Sequence, residues 1–204
     1  MNRRQFTGKL LTALVFIATA SSAIFMTGCN VFNDILNWAP VGQAAINSIL
    51  TVLTGNGILI SPALQTIIGL INAGFTALIA AIKEYQSTTP PPVGTLSKIE
   101  TAFNDIVDNF KTFLASLSVS SGLLGIITGL AQIVLSTIAA FMHQLPASPA
   151  VKSVADKTSS AKVAASAITV TAKKRSVSAF KNDFNAVLKS APAGVTCPPS
   201  SYLK

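Results

Sequence analysis

Charge is what this sequence has least of. Of its 204 residues only 11% are charged and 50% are hydrophobic, where an ordinary soluble domain carries about 25% charged residues. There is one histidine and there are two cysteines, which excludes a disulfide framework and a multi-histidine metal centre. No Glu-x-x-His pair is present for a di-iron bundle. No glycine-rich phosphate loop follows a strand pattern, and no serine sits in a nucleophile elbow. His143 stands alone at the C-terminal end of a predicted helix, where the dipole favours a cation. Asp105 and Asp108 fall on the wet face of another. The chain is therefore expected not to be an enzyme, with no catalytic residue, no metal and no cofactor. Disorder is excluded as well, because Ile, Leu, Val and Ala are abundant.

The few charges are unevenly placed. Residues 1–9 hold Arg3, Arg4 and Lys9 and no acid. Residues 10–145 hold three lysines against five acids, a net of −2, and residues 146–204 hold nine basic groups against two acids, a net of +7. The order is a basic leader, an apolar body and a basic tail.

In the leader, the run from Leu10 to Met26 carries no charge and ends in Met26-Thr27-Gly28-Cys29. A basic start, an apolar stretch and small residues make up the physical plan of a secretory signal peptide, assigned to residues 1–28. The ending resembles the lipobox of bacterial lipoproteins, in which small residues precede a cysteine. Thr27 and Gly28 match that pattern; Met26 stands where the family prefers Leu. The resemblance implies cleavage before Cys29 and acylation of its sulfur and new amino group, with palmitate-type chains holding the mature protein to membrane lipid. It implies an exported protein of the bacterial cell envelope. Asn30, in place of the aspartate that retains enteric lipoproteins in the inner membrane, favours the outer membrane. Arg3-Arg4-Gln5-Phe6 also resembles the twin-arginine export motif, although Thr7-Gly8 replaces the usual Leu-Lys. An uncleaved membrane anchor is the competing reading of the same segment.

The body, residues 29–146, reads as helices. A short piece over Val31–Trp38 is expected to end at Pro40, which disfavours helix in the residue before it. A second stretch, from about Val41 to Thr54, is closed by Gly55-Asn56-Gly57. Ser61-Pro62 opens a long helix to about Tyr85, and Pro90-Pro91-Pro92 interrupts the chain. Ser97 and Glu100 are spaced as a capping box for the next helix. In it Leu96, Ile99, Phe103, Ile106, Phe110, Phe113 and Leu117 step by three and four, as one buried seam. A last apolar helix runs from about Gly122 to Gln144.

These elements match at an offset of 60: Ser61, Leu64, Ile67, Gly69, Leu70 and Ala80 align with Ser121, Leu124, Ile127, Gly129, Leu130 and Ala140. The expected fold is all-α, a four-helix bundle of two helix-turn-helix repeats, about 40–86 and 92–145. The helices at 58–82 and 122–144 are long enough to span a membrane. Each also carries a polar stripe: Gln65, Asn72, Thr76 and Lys83 in one, Thr128, Gln132, Ser136 and His143 in the other. Burial in protein and burial in lipid both fit such stripes.

The tail, residues 147–204, carries Lys152, Lys157 and Lys162 in a stretch read as partly disordered, then Lys173-Lys174-Arg175. A short amphipathic helix is predicted over about 176–190, with Val177, Phe180, Phe184, Val187 and Leu188 on one face and Lys181 and Lys189 on the other. Lys173, Lys174, Arg175, Lys181 and Lys189 are candidate contacts for an anionic lipid or a cell-wall polymer. The alternative is that the helix docks on the bundle. Nucleic acid is excluded as a partner, since no aromatic interleaving or base-reading motif accompanies the charge. Cys197 is the thiol that remains once Cys29 is acylated, and an oligomer of the chain is compatible with these features.

The functional expectation is a lipid-anchored bacterial envelope protein with a structural or interaction role. A membrane-inserting or pore-forming protein built from helical hairpins is the alternative, and a bundle that holds an apolar ligand is the third.

Overall fold

The structure, a computed structural model, describes residues 30–146 and 172–204. The predicted signal peptide, the lipobox residues Met26, Thr27, Gly28 and Cys29, and Lys152, Lys157 and Lys162 lie outside the described residues. All regular structure among the described residues is helical. The elements are α1 (30–55), α2 (Pro62–Ser87), α3 (Thr95–Ala115), α4 (Ser121–Met142), α5 (Val177–Lys189) and a 3₁₀ turn at Pro199–Ser201.

Pro40 does not end a helix. It lies in the interior of α1, which is continuous over 30–55, so the expected break is corrected. The reason is a seam that runs straight past the proline. Phe32, Ile35, Ala39, Gly42, Ile46, Ile49 and Leu53 step by three and four, and all are buried. Pro40 sits on the exposed face, where its ring and the unmatched Leu36 carbonyl disturb no packing. Burial of a seven-membered stripe outweighs the roughly 3 kcal/mol that an interior proline costs.

The start of α3 also differs from expectation. The N-cap is Gly94, at φ 84°, and not Ser97. Gly94 supplies the left-handed backbone that turns the chain out of the proline run. The Thr95 hydroxyl then donates to the Pro92 carbonyl at 2.7 Å. Glu100 is consequently more than a turn inside the helix and 5% exposed, too far along to close a capping box. By contrast α2 begins as predicted: Ser61 is its N-cap, the Ser61 hydroxyl accepts from the Leu64 N–H at 3.3 Å, and Pro62 fills the first position.

Short turns set neighbouring helices antiparallel. Phe32 meets Tyr85 with ring centroids 4.5 Å apart, and Gln43 reaches the Asn72 carbonyl at 3.5 Å, which fixes the register of α1 on α2. Between α2 and α3 the backbones approach at Gly74, where an added Cβ would meet Ile106 Cγ1 at 2.7 Å. The predicted seam of α3 is buried from Ile99 to Phe113. It is wider than expected, because Ala102, Val107 and Leu114 are buried too.

Helix α4 is the most enclosed element. Every residue from Ile133 to Met142 is buried, Ser136 and Thr137 included. Part of that cover is α5, which runs antiparallel along α4: Gly129 admits Val187 and Gly122 faces Pro192. Trp38 of α1 joins the layers. Its ring lies 5.7 Å from Phe75 of α2, 5.4 Å from Phe141 of α4 and 5.7 Å from Phe180 of α5. Each such aromatic pair is worth about 0.5–1.5 kcal/mol beyond its buried area. The predicted C-terminal helix thus contributes Phe180, Phe184 and Leu188 to the common core.

Candidate functional site at the end where α1 begins

Two regions carry the chemistry singled out in the sequence. The first is the end of the molecule at which α1 begins. Helix α1 is already formed at Asn30, the residue after Cys29. Antiparallel packing brings the last turn of α2, the 88–94 loop, the start of α3 and the end of α4 to the same place. Gln86 Nε2 donates to Asn33 Oδ1 at 3.0 Å, tying the end of α2 to the first turn of α1. Lys98 Nζ grips both oxygens of Glu84 at 2.8 and 2.9 Å. His143 is the exposed C-cap of α4, as its predicted position requires.

From Tyr85 to Ser97 this end carries no charged residue. At the tip of the loop Val93 is fully exposed, at 105%. A β-branched apolar side chain placed wholly in water between prolines and a left-handed glycine has no packing role. The sequence marks this loop only as a proline interruption between helices. Its signal was Val93 itself, an isolated apolar residue between Pro92 and Gly94.

The second region holds the basic cluster. Arg175 is turned inward, with a side chain 9% exposed. Its Nε donates to Asp183 Oδ2 at 2.8 Å, and its Nη1 donates to the Ser136 hydroxyl at 2.7 Å and the Thr137 hydroxyl at 3.2 Å. The Arg175 hydrogen bond, with Lys173 nearby, holds the Asp183 carboxyl below the usual carboxylate range against the opposing effect of burial. Lys173 pairs with Asp183 at 3.6 Å and Lys174 with Asp34 at 3.5 Å. Lys181 is half-buried on α5, and Lys189 is exposed in its last turn. The five nominated cations therefore divide: Arg175 is committed to the fold, Lys173 and Lys174 pair with acids while staying over half exposed, Lys181 is half-buried, and Lys189 faces outward. The polar partners that orient Arg175 were visible in the sequence as Ser136-Thr137 inside an apolar helix, and as Asp183 eight residues downstream.

Beside residues 174–177 lies a cavity of about 230 Å³, lined also by Asp34, Asn37, Trp38 and Phe141. The Trp38 indole N–H is buried without an acceptor. Among the described residues no group of three His, Cys, Asp or Glu side chains is placed to hold a metal ion. Cys197 is a free, half-buried thiol whose burial pushes its pKa up, away from reactive thiolate.

The chain's C-terminal residues close over the opposite end. Asn56 in the α1–α2 turn donates to the Thr196 carbonyl at 2.7 Å and accepts from its N–H at 2.8 Å. Asn185 does the same for Leu203, at 2.9 Å in both directions. No protein family, curated protein or solved structure was found to match the chain.

Proposed function

We propose that this chain is an exported bacterial envelope protein, held at a membrane by acylated Cys29, with a structural or interaction role and no catalysis of its own. In this reading the four long helices are a four-helix bundle of two helical hairpins, and α5 is a docked addition to it. The observation that carries the reading is the placement of α4. It is long and apolar enough to cross a membrane, yet 72% of its most apolar stretch is buried inside the protein. Its low charge is thereby accounted for by the core, without a bilayer. The anchor then falls to the leader, and the lipobox-like residues Thr27, Gly28 and Cys29 supply it directly before α1. The outer membrane is the favoured site by the Asn30 argument. Lys173 and Lys174, over half exposed on the side where α1 begins, provide a weak attraction to anionic lipid or wall polymer.

A second reading, insertion of helical hairpins into the bilayer, has one observation in its favour. Helix α2 is also long and apolar enough to cross a membrane, and only 39% of its most apolar stretch is buried. Leu70 on its outer face is 49% exposed among Thr66, Gly69, Ala73 and Ala77.

Two experiments decide. Substitution Cys29→Ser in the full chain is expected to abolish incorporation of a fatty-acid probe; continued labelling would refute the anchor. The chain beginning at Asn30 is expected to be monodisperse without detergent, whereas recovery only in a detergent phase would replace the bundle reading with the insertion reading.

A further inference from the structure

The position of the anchor has a geometric consequence, which rests on the reading of Cys29 as acylated. An acyl chain on residue 29 leaves at most one residue, about 3.5 Å of chain, between the membrane interface and the first turn of α1. Whatever shares that end of the molecule is brought to the bilayer with it. The Gln86–Asn33 hydrogen bond and the Phe32–Tyr85 ring contact place the end of α2 there, and the 88–94 loop follows directly.

We propose that the Pro90–Gly94 loop is a second membrane contact, with Val93 entering the lipid interface beside the acyl chains of Cys29. Three properties of the surface fit a bilayer and no other occupant is brought so close. Val93 is wholly exposed, so its entry into an apolar layer displaces water from a complete side chain. The 85–97 stretch has no charge to be desolvated. The acids nearest this end do not face anionic lipid alone, because Glu84 is gripped by Lys98 and Asp34 is paired with Lys174, while Glu100 is buried. Lys83 is exposed about one turn before the end of α2, where a cation can meet a phosphate headgroup. The acyl chains hold the protein at one point; the loop adds contact at a second point and so sets tilt. With both points engaged, the helices stand upright and the α1–α2 turn is carried about 39 Å away, the length of a 26-residue helix.

The experiment uses the full chain, processed and acylated in cells, with Cys197→Ser to leave one reactive thiol. Val93→Cys, or Leu59→Cys at the far turn where Leu59 is 90% exposed, is labelled with a nitrobenzoxadiazole fluorophore. Each protein is placed in phosphatidylethanolamine–phosphatidylglycerol vesicles with and without nitroxide-labelled acyl chains. The label at 93 is expected to shift to the blue and to lose roughly half its emission to the nitroxide, while the label at 59 is unchanged, as burial at the headgroup–acyl boundary requires. An unquenched label at 93 overturns the proposal. Equal quenching at 93 and 59 overturns it too, since the helices would then lie flat. Mass analysis of the Cys29 peptide from the same preparation separates the levels. An acylated peptide with both labels in water removes only the loop contact; an unacylated peptide removes the anchor and the contact together.

Discussion

Arg175 and Asp183 form the hinge on which the C-terminal segment is fastened: Nε to Oδ2 is 2.8 Å, with the guanidinium pressed against Ser136 and Thr137 of the most buried helix. Charge-assisted hydrogen bonds of this kind contribute about 1.5–3 kcal/mol, less where one partner is partly in water. Asp183 is 39% exposed, so Arg175→Met is expected to cost about 1–2 kcal/mol in urea unfolding. Limited proteolysis should at the same time begin near residue 175. A variant as stable as the parent would mean that α5 is held by Phe180, Phe184 and Leu188 alone.

The same pair makes a pH prediction. The folded carboxyl of Asp183 is held below its ordinary value of 3.8. The stabilisation is therefore complete above that value and is lost as the pH falls through the lower folded one. Stability measured from pH 6 down to acid should decline in the parent, and the part of that decline due to Asp183 should vanish in Asp183→Asn. Identical acid limbs in the two proteins would show that the pair does not couple to folding.

Glu100 has the opposite sign. It is 5% exposed, one carboxyl oxygen is buried without a partner, and burial raises its pKa above 4.5. Folding is favoured by the protonated form, so the penalty is absent below 4.5 and grows as the pH rises through the folded value. Glu100→Gln is expected to be more stable than the parent at pH 7, with the advantage shrinking toward pH 4. A Gln variant less stable at pH 7 would reveal that the charge is compensated in the folded state.

How much of this was legible depends on whether the signal was local. The α3 seam and the Ser61-Pro62 start of α2 were readable, because periodicity and capping act over four to seven residues. Pro40 misled because the proline rule is local, while the seam from Phe32 to Leu53 that overrides it spans the whole helix. Ser97 misled because Gly94, with positive φ, offered an earlier start next to Pro92. The offset-60 match conceals different environments: Leu70 is 49% exposed and its counterpart Leu130 is fully buried. Such differences arise from the placement of α4 under α5, and no single helix encodes that. At the candidate site, the lipobox-like residues 26–29 form a sequence motif that lies outside the described residues, whereas the nearness of Val93 to the start of α1 follows only from antiparallel packing.

Two glycines in α2 offer a contrast. An added Cβ at Gly74 would meet Ile106 Cγ1 at 2.7 Å, but at Gly69 nothing lies within 4 Å. Gly69→Ala is expected to stabilise by about 0.5–1 kcal/mol through helix propensity. Gly74→Ala has the same propensity gain but forces the α2–α3 contact apart, a typical cost of about 1–3 kcal/mol. Thermal unfolding of the pair should therefore move in opposite directions. A shift of both in the same direction would mean that the helices can slide past each other at Gly74.

The proline inside α1 gives the largest expected gain. Pro40 is exposed and removes the hydrogen bond that would run to the Leu36 carbonyl. The seam on the other side of the helix is already packed, so alanine needs no rearrangement there. Pro40→Ala is expected to stabilise the protein by about 1–3 kcal/mol, bounded by the interior-proline penalty. Urea denaturation would read it as a higher midpoint at constant slope. A lower midpoint would show that Pro40 is needed to bring Trp38 against Phe75, Phe141 and Phe180. Trp38 emission in the folded variant would then be displaced from that of the parent.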